Sequence, residues 1–462
     1  MTQTISMPLW AFALILLFAA VTFASHFLFP SVRWFFRKRA ERVIARLNTR
    51  LQRPIEPFKL ARRHDMIQRL IYDPEITKAV LDYAAEEGVP EDVAFEKARV
   101  YAREIVPSFS ATAYFSIGTR LSKWLSKSLY RIRLGAFERE ELSALDPNAT
   151  VIFVMNHRSN MDYVLVTYLA ARAGALSYAV GEWARVWPLS SVIRAMGAYF
   201  IRRKSRGALY RKVLARYVQM ATAGGVSQAV FPEGRLSVTG AVDVPKLGLL
   251  SYIVGGYKEG GRDVVFVPVA LNYDRVLEDR FLIKADKTGE RRFRPPLWTI
   301  MSGTMNHLWA RVTRRFKKFG TAAVSFGAPL KLSEFAQGQS GDFTDGLANE
   351  MMQRIRNVVP VLAVPLVARL LLKGGPITED TLVAQVAAVK ADLEARGIPA
   401  PRRDPKVAVA AGLADLRARG ALDESGTKIA VKASEVDLVS YYARSIEHHF
   451  DAPAAGISAT TG

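Results

Sequence analysis

Apolar and polar positions change rhythm several times along the chain, and each change predicts an element. Residues 1–32 carry no charged side chain, and residues 9–29 form a 21-residue apolar run. That is long enough for one helix to span a hydrocarbon core of ~30 Å. Residues 65–106 follow a helical spacing, divided by the acidic turn Glu86-Glu87-Gly88-Val89-Pro90-Glu91-Asp92. From 115 to 134, Ile117, Leu121, Trp124, Leu125, Leu129 and Ile132 share one helical face, while Arg120, Lys123, Lys127 and Arg131 fall mainly elsewhere. A basic amphipathic helix bearing Trp suits a membrane interface, and it suits the cover of a sheet equally well.

Between 150 and 330, short apolar runs alternate with helical stretches. Residues 151–155, 176–180, 226–231, 264–271 and 322–326 predict strands. The helical patterns between them predict an α/β domain, a central sheet flanked by helices. Residues 295–320 combine Trp298, Ile300, Met301, Leu308 and Trp309 with five cations and read as a second membrane-surface helix. Farther on, 345–373 and 378–396 read as helices and 399–405 as a linker. The domains predicted are a transmembrane anchor at 1–32, a basic juxtamembrane and helical region at 33–110, the α/β domain at 111–335, a helical C-terminal domain at 340–450 and a disordered Ala-, Gly-, Ser- and Thr-rich tail at 451–462.

Composition narrows the function. The 462 residues include no cysteine, which excludes disulfides, a thiolate nucleophile and cysteine-ligated zinc. The 64 Lys and Arg against 43 Asp and Glu leave +21, which calls for anionic partners. The apolar N-terminus selects anionic membrane lipid over nucleic acid, because a nucleic-acid binder has no use for such a run. Arg33, Arg37, Lys38, Arg39 and Arg42 all follow the run, so the positive-inside rule places the body of the protein in the cytoplasm. No basic n-region precedes it, so it reads as an uncleaved single-pass anchor.

Candidate chemistry concentrates in residues 151–163, VIFVMNHRSNMDY. Five apolar residues read as a buried strand, Asn156-His157-Arg158-Ser159 interrupts them, and a helical pattern starts near Met161. His157 therefore lies on a strand-to-helix corner, where α/β proteins bind ligands. Asp162 sits one helical turn on, close enough to reach the imidazole and make it a base. Ser159-x-x-Asp162 also fits a capping box, and the two readings are compatible because a carboxylate has about four acceptor positions. His448 and His449 are adjacent, so they point apart with no third ligand near, and no metal site is expected.

Residues 156–163, NHRSNMDY, resemble the His-x4-Asp block of the glycerolipid acyltransferases, and the spelling HRSxMDY is nearest to their bacterial membrane-bound glycerol-3-phosphate branch. Three more blocks follow in the family's order: GAYFIRR at 197–203, FPEGR at 231–235 and VPVA at 267–270. The ending YYARSIEHHF at 441–450 is similar to the same branch. The resemblance implies the α/β acyltransferase fold and acyl transfer from acyl-CoA or acyl carrier protein to the sn-1 hydroxyl of glycerol 3-phosphate, with no cofactor, at the bacterial inner membrane. By the matched positions, His157 is the base and Asp162 its orienting partner. Arg158, Ser159, Arg202 and Arg203 are substrate-binding candidates, Glu233 and Gly234 fix the acceptor, and Pro268 walls a pocket. Where the branch carries Glu-Gly-Gly-Arg-Ser-Arg, this chain has Glu233-Gly234-Arg235-Leu236-Ser237-Val238, so Arg235 is named on its chemistry rather than by alignment. Backbone N–H groups near Arg158 and Ser159 are candidates for the oxyanion. The alternatives are a lysophosphatidate acceptor and a noncatalytic membrane-anchored binder.

Overall fold

The structure, a computed structural model, describes residues 7–134, 145–170, 174–181, 185–186, 189–202, 207–289, 318–339 and 341–451. Two compact units divide the chain, Met1–Ile55 and Glu56–Gly462.

The first unit is built on α1, Leu9–Asn48, a continuous 40-residue helix. Among the described residues no helix is long and apolar enough to cross a membrane. From its apolar start at Leu9 the helix runs on without a break to carry Lys38, Arg39, Arg42 and Arg46. This corrects the expected N-terminal transmembrane helix.

The second unit is a three-layer α/β structure around an eight-stranded sheet. Its strands are β1 (Arg131–Leu134), β2 (Thr150–Met155), β3 (Ser177–Gly181), β4 (Tyr199–Ile201), β5 (Gln228–Val230), β6 (Val264–Tyr273), β7 (Thr321–Phe326) and β8 (Leu330–Lys331). The order is β1-β7-β6-β2-β5-β3-β4, with β8 also on β6. From β6 through β2, β5 and β3 to β4 every pair is parallel, whereas β7 and β8 run antiparallel to β6. β2 is central and buried along its whole length, which is why it reads as an unbroken apolar run rather than an alternating one.

The two faces of β2 build two cores. Val151, Phe153 and Met155 join one core, and Ile152 and Val154 join the other. The second core is covered by α2 (Arg63–Ile71), α3 (Pro74–Glu87) and α4 (Glu91–Ile105), then α7 (Ala208–Ala223), α8 (Gly248–Val254) and α10 (Thr344–Asn357). The first is covered by α5 (Thr119–Leu129), α6 (Met161–Ala170) and α9 (Asp279–Thr288), with the C-terminal helices α11 (Ala363–Gly374), α12 (Glu379–Ala395), α13 (Pro405–Ala418) and α14 (Val436–Ala443). A three-stranded sheet pairs Ile377–Thr378 with the hairpin Leu422–Ser425 and Lys428–Val431.

The helical pattern read over 115–134 ends earlier than its periodicity suggests. Tyr130 is extended, at φ −128° and ψ 161°, and residues 131–134 pair with β7 about 190 positions away. Pro268 is interior to β6, opposite Val154. Its carbonyl accepts from the Gly327 N–H at 2.9 Å, so its hydrogen-bonding edge faces the interval where β7 has ended and β8 has not begun. The missing N–H costs no ladder bond there. Residues 290–317, which hold most of the second predicted surface helix, and 452–462, the tail, lie outside the described residues.

Candidate active site

The C-terminal ends of three adjacent parallel strands, β5, β2 and β6, supply the site. His157 follows β2 on the corner leading into α6. Its Nδ1 lies 2.9 Å from Asp162 Oδ2, and both side chains are almost completely buried. The same carboxylate oxygen accepts from the backbone N–H groups of Arg158 at 2.7 Å and Ser159 at 3.0 Å. Ser159 Oγ accepts from the Met161 N–H at 3.1 Å. The helix cap and the His–Asp contact therefore coexist on one carboxylate. Because Asp162 engages Nδ1, that nitrogen carries the proton and Nε2 is left to accept one.

The strand on one side, β5, leads into Phe231-Pro232-Glu233-Gly234. The Phe231 ring lies on the imidazole at 4.2 Å and 32°, and Tyr163 meets it edge-on at 5.4 Å. Glu233 turns inward, and its Oε1 accepts from the His157 N–H at 3.1 Å. Its Oε2 is buried with no hydrogen-bond partner among the described residues. Burial pushes this carboxyl up to about 8, which favours its neutral form at neutral pH. Gly234 makes the turn possible with φ +66°, a left-handed conformation that costs a glycine nothing. Arg235 is partly exposed and faces Asp243 at 3.5 Å.

Arg158 is 1% exposed. One guanidinium nitrogen donates to the Gly240 carbonyl, and the group lies 4.9 Å over the Tyr441 ring of α14. Its Nε and Nη2 have no hydrogen-bond partner among the described residues. Ser159 Oγ donates to Glu278 at 2.7 Å, and Asn160 binds the same carboxylate through its N–H and its amide. Thus the backbone N–H groups of 157 to 160 all end on carboxylates, those of Glu233, Asp162 and Glu278. This corrects the expectation that the Arg158 and Ser159 N–H groups stand ready for an oxyanion, since Asp162 holds both.

Arg202 lies elsewhere. It follows β4, three strands from β2, a lateral offset of about 14 Å at ~4.8 Å per strand. There its guanidinium binds Glu104 of α4 at 2.5–3.0 Å. Arg203 lies outside the described residues. His448 and His449 each turn Nε2 to a backbone carbonyl, of Arg356 at 3.1 Å and Val359 at 2.9 Å, and burial pushes His448 down to about 3.

Three participants escaped the sequence reading. The Tyr273 hydroxyl donates to Asp162 Oδ1 at 2.6 Å. Asn156 exchanges two hydrogen bonds with Leu271, extending the β2–β6 ladder by one rung. Glu278 holds the corner from the far side. Tyr273 stands three residues past the VPVA block, so its place in the sequence was visible while its role was not. Glu278 carries no signal in the sequence at all.

The family described as acyltransferase matches residues 136–272, and the glycerol-3-phosphate acyltransferase C-terminal region matches 308–461. The chain belongs to the acyltransferase family. Among its relatives, a glycerol-3-phosphate acyltransferase of Shewanella halifaxensis is 30% identical over 309 residues, covering 66% of this chain and 37% of that protein. One from Pseudoalteromonas atlantica is 27% identical over 437 residues, covering 87% of this chain and 52% of that protein. The chain thus spans between a third and about half of the length of these relatives. A crystal structure of the 1-acyl-sn-glycerophosphate acyltransferase of Thermotoga maritima overlaps at 18% identity with a TM-score of 0.31, over 52% of this chain and 77% of that one, too distant to carry an inference.

The C-terminal region touches the acyltransferase domain at the site itself. Tyr441 covers Arg158, and the Tyr442 hydroxyl donates to Asp279 at 2.5 Å, which Arg419 also binds. Gly240 shows how close the two regions come. At φ +90°, a Cβ on it would lie 1.9 Å from the Tyr441 carbonyl oxygen.

Proposed function

We propose that this acyltransferase moves an acyl group from a thioester, acyl-CoA or acyl carrier protein, to the sn-1 hydroxyl of glycerol 3-phosphate, forming lysophosphatidate. The observation that carries the reading is the 2.9 Å contact of His157 Nδ1 with buried Asp162, which frees Nε2 as the base. The names of the two relatives support the acceptor. His157 Nε2 takes the hydroxyl proton as the oxygen attacks the thioester carbonyl. Asp162 holds the imidazolium in place. Collapse of the tetrahedral intermediate expels the thiolate, which takes the proton back from the imidazolium. Such a base contributes typically ~10²- to 10⁴-fold. Glu233 and Gly234 shape the acceptor side. Arg235 and the unpaired donors of Arg158 are the phosphate contacts in reach of this corner.

Anionic lipid is the partner surface we assign to α5. Leu121 is 52% and Trp124 48% exposed, as is Ile117 just before the helix at 66%, beside exposed Arg120, Lys123 and Lys127. No acidic residue occurs from 105 to 137, and charge and apolar surface together favour an anionic bilayer. The opposite side of α5 packs on α6, the helix that holds Asp162.

The test is acyl transfer by purified protein offered labelled glycerol 3-phosphate or lysophosphatidate, each with acyl-CoA and with acyl carrier protein. Lysophosphatidate from glycerol 3-phosphate is expected. Phosphatidate from the lysolipid alone would move the protein to the second acylation, and no product from any pair would refute the enzyme reading. Flotation with anionic vesicles, lost in Leu121→Glu, tests the lipid surface.

A further inference from the structure

Asp162 has two oxygens with unequal duties. Oδ2 receives the imidazole and two backbone N–H groups, whereas the donor to Oδ1 is the hydroxyl of Tyr273, 111 residues away and 2.6 Å distant. We propose that Tyr273 is the positioning residue that completes the His157–Asp162 pair, fixing the carboxylate's rotation and spreading its charge away from the imidazole. The proposal rests on the reading of His157 as the base.

Tyr273 is built to hold this position. It is the last residue of β6, in register with Ala322 of β7, and is fully buried. Its ring packs on Tyr130 at 5.4 Å, and the Tyr130 hydroxyl is tied to the Arg275 carbonyl at 2.9 Å. Its two chain neighbours are anchored in turn. Asn272 donates to the Pro360 carbonyl at 2.9 Å and to Ser445 Oγ at 3.3 Å. Asp274 accepts from the N–H groups of Thr321 at 2.7 Å and Val364 at 3.0 Å. The C-terminal region thus fixes the strand end that carries the hydroxyl. Burial and the charge of Asp162 push the phenol well above its ordinary range, so it stays protonated and keeps its proton to donate.

Other titratable groups face the pair. Glu233 comes from the turn after β5, Arg158 from the corner itself, Glu278 from the approach to α9, and the phenols are Tyr163 of α6, Tyr130 before β1 and Tyr441 of α14. Removing the Tyr273 hydroxyl leaves Oδ1 bare in a dry site, and a carboxylate with one donor fewer holds the imidazolium proton more tightly.

The decisive variant is Tyr273→Phe, which keeps the ring and its packing. We expect kcat to fall about tenfold, as for loss of a hydrogen bond to a charged group, with KM for glycerol 3-phosphate unchanged. The acid limb of the kcat profile should move to higher pH, because the neutral base forms only there. Incorporating 3-fluorotyrosine at 273, a stronger donor of nearly the same shape, should move that limb the other way. A folded Tyr273→Phe protein with unchanged kcat and a superimposable profile would overturn the proposal. So would a lower kcat with an unshifted profile and a lowered melting temperature, the signature of a packing role alone. His157→Gln, assayed in parallel, separates the two levels. If it keeps turnover, the base reading fails and Tyr273 falls with it. If it is inactive while Tyr273→Phe is unchanged, the positioning role fails alone.

Discussion

Two strand ends of the same sheet make an instructive pair. After β2, at the centre, His157, Arg158, Ser159 and Asn160 meet three carboxylates that converge from separate strands and helices, so the corner is held by bonds that leave Nε2 open. After β4, at the edge, Arg202 meets a single carboxylate, Glu104, that occupies its donors. Both ends carry a polar motif behind an apolar strand, and both motifs match the family's order. The difference is the neighbourhood. A central strand has two parallel neighbours whose C-terminal ends bring further groups within one strand spacing, whereas an edge strand has one and is covered on the other side by a helix.

The largest effect that can break this comparison is at the base. His157→Ala is expected to lower turnover at least ~10²-fold while the melting temperature stays within a few degrees; substantial residual activity would sink the assignment. Asp162→Asn should cost comparable activity and also stability. The amide can satisfy only part of a site that supplies four donors, and each buried group left unpaired costs about 1–3 kcal/mol. Calorimetry of the two variants side by side separates the cap from the relay.

Next comes the junction with the C-terminal region. Gly240→Ala puts a Cβ against the Tyr441 backbone at a φ that glycine tolerates best. Loss of several degrees of melting temperature together with reduced kcat is expected, and an unaltered enzyme would show that the Tyr441–Arg158 stack is dispensable.

Glu233 sharpens the comparison through pH. Its carboxyl is raised from 4.5 to about 8, so between these values the folded protein holds a proton that the unfolded chain has released. Stability from this group therefore falls as pH rises through that window and levels off above it. Glu233→Gln should flatten the decline in melting temperature between pH 5 and 8. An identical slope in both proteins would contradict the buried neutral acid.

The smallest effect is at the edge. Arg202→Ala is expected to lower the melting temperature by a few degrees and to leave KM for glycerol 3-phosphate within about twofold, because Arg185 still pairs with Glu104. A tenfold rise in KM would give Arg202 a share in the site despite its distance.

Strands β2, β3, β5, β6 and β7 were legible to within a few residues because strands covered on both faces read as short apolar runs. β1 was hidden inside a helical periodicity, since its reason to be a strand is a partner far along the chain. The apolar run at 9–29 shows the converse limit. Its composition predicts a spanning helix, but among the described residues no helix is long and apolar enough to cross a membrane.

By itself the sequence determined the order of the four blocks, the corner that carries His157 and the reach of Asp162 to it, because those partners are five residues apart and local geometry brings them together. Only the tertiary structure decided which groups are free and which are held. Glu233 reaches His157 across 76 residues, Glu278 reaches Ser159 across 119, and Glu104 reaches Arg202 across 98. Each of those bonds exists because sheet order and helix packing place two distant backbones side by side, which no local pattern of residues encodes.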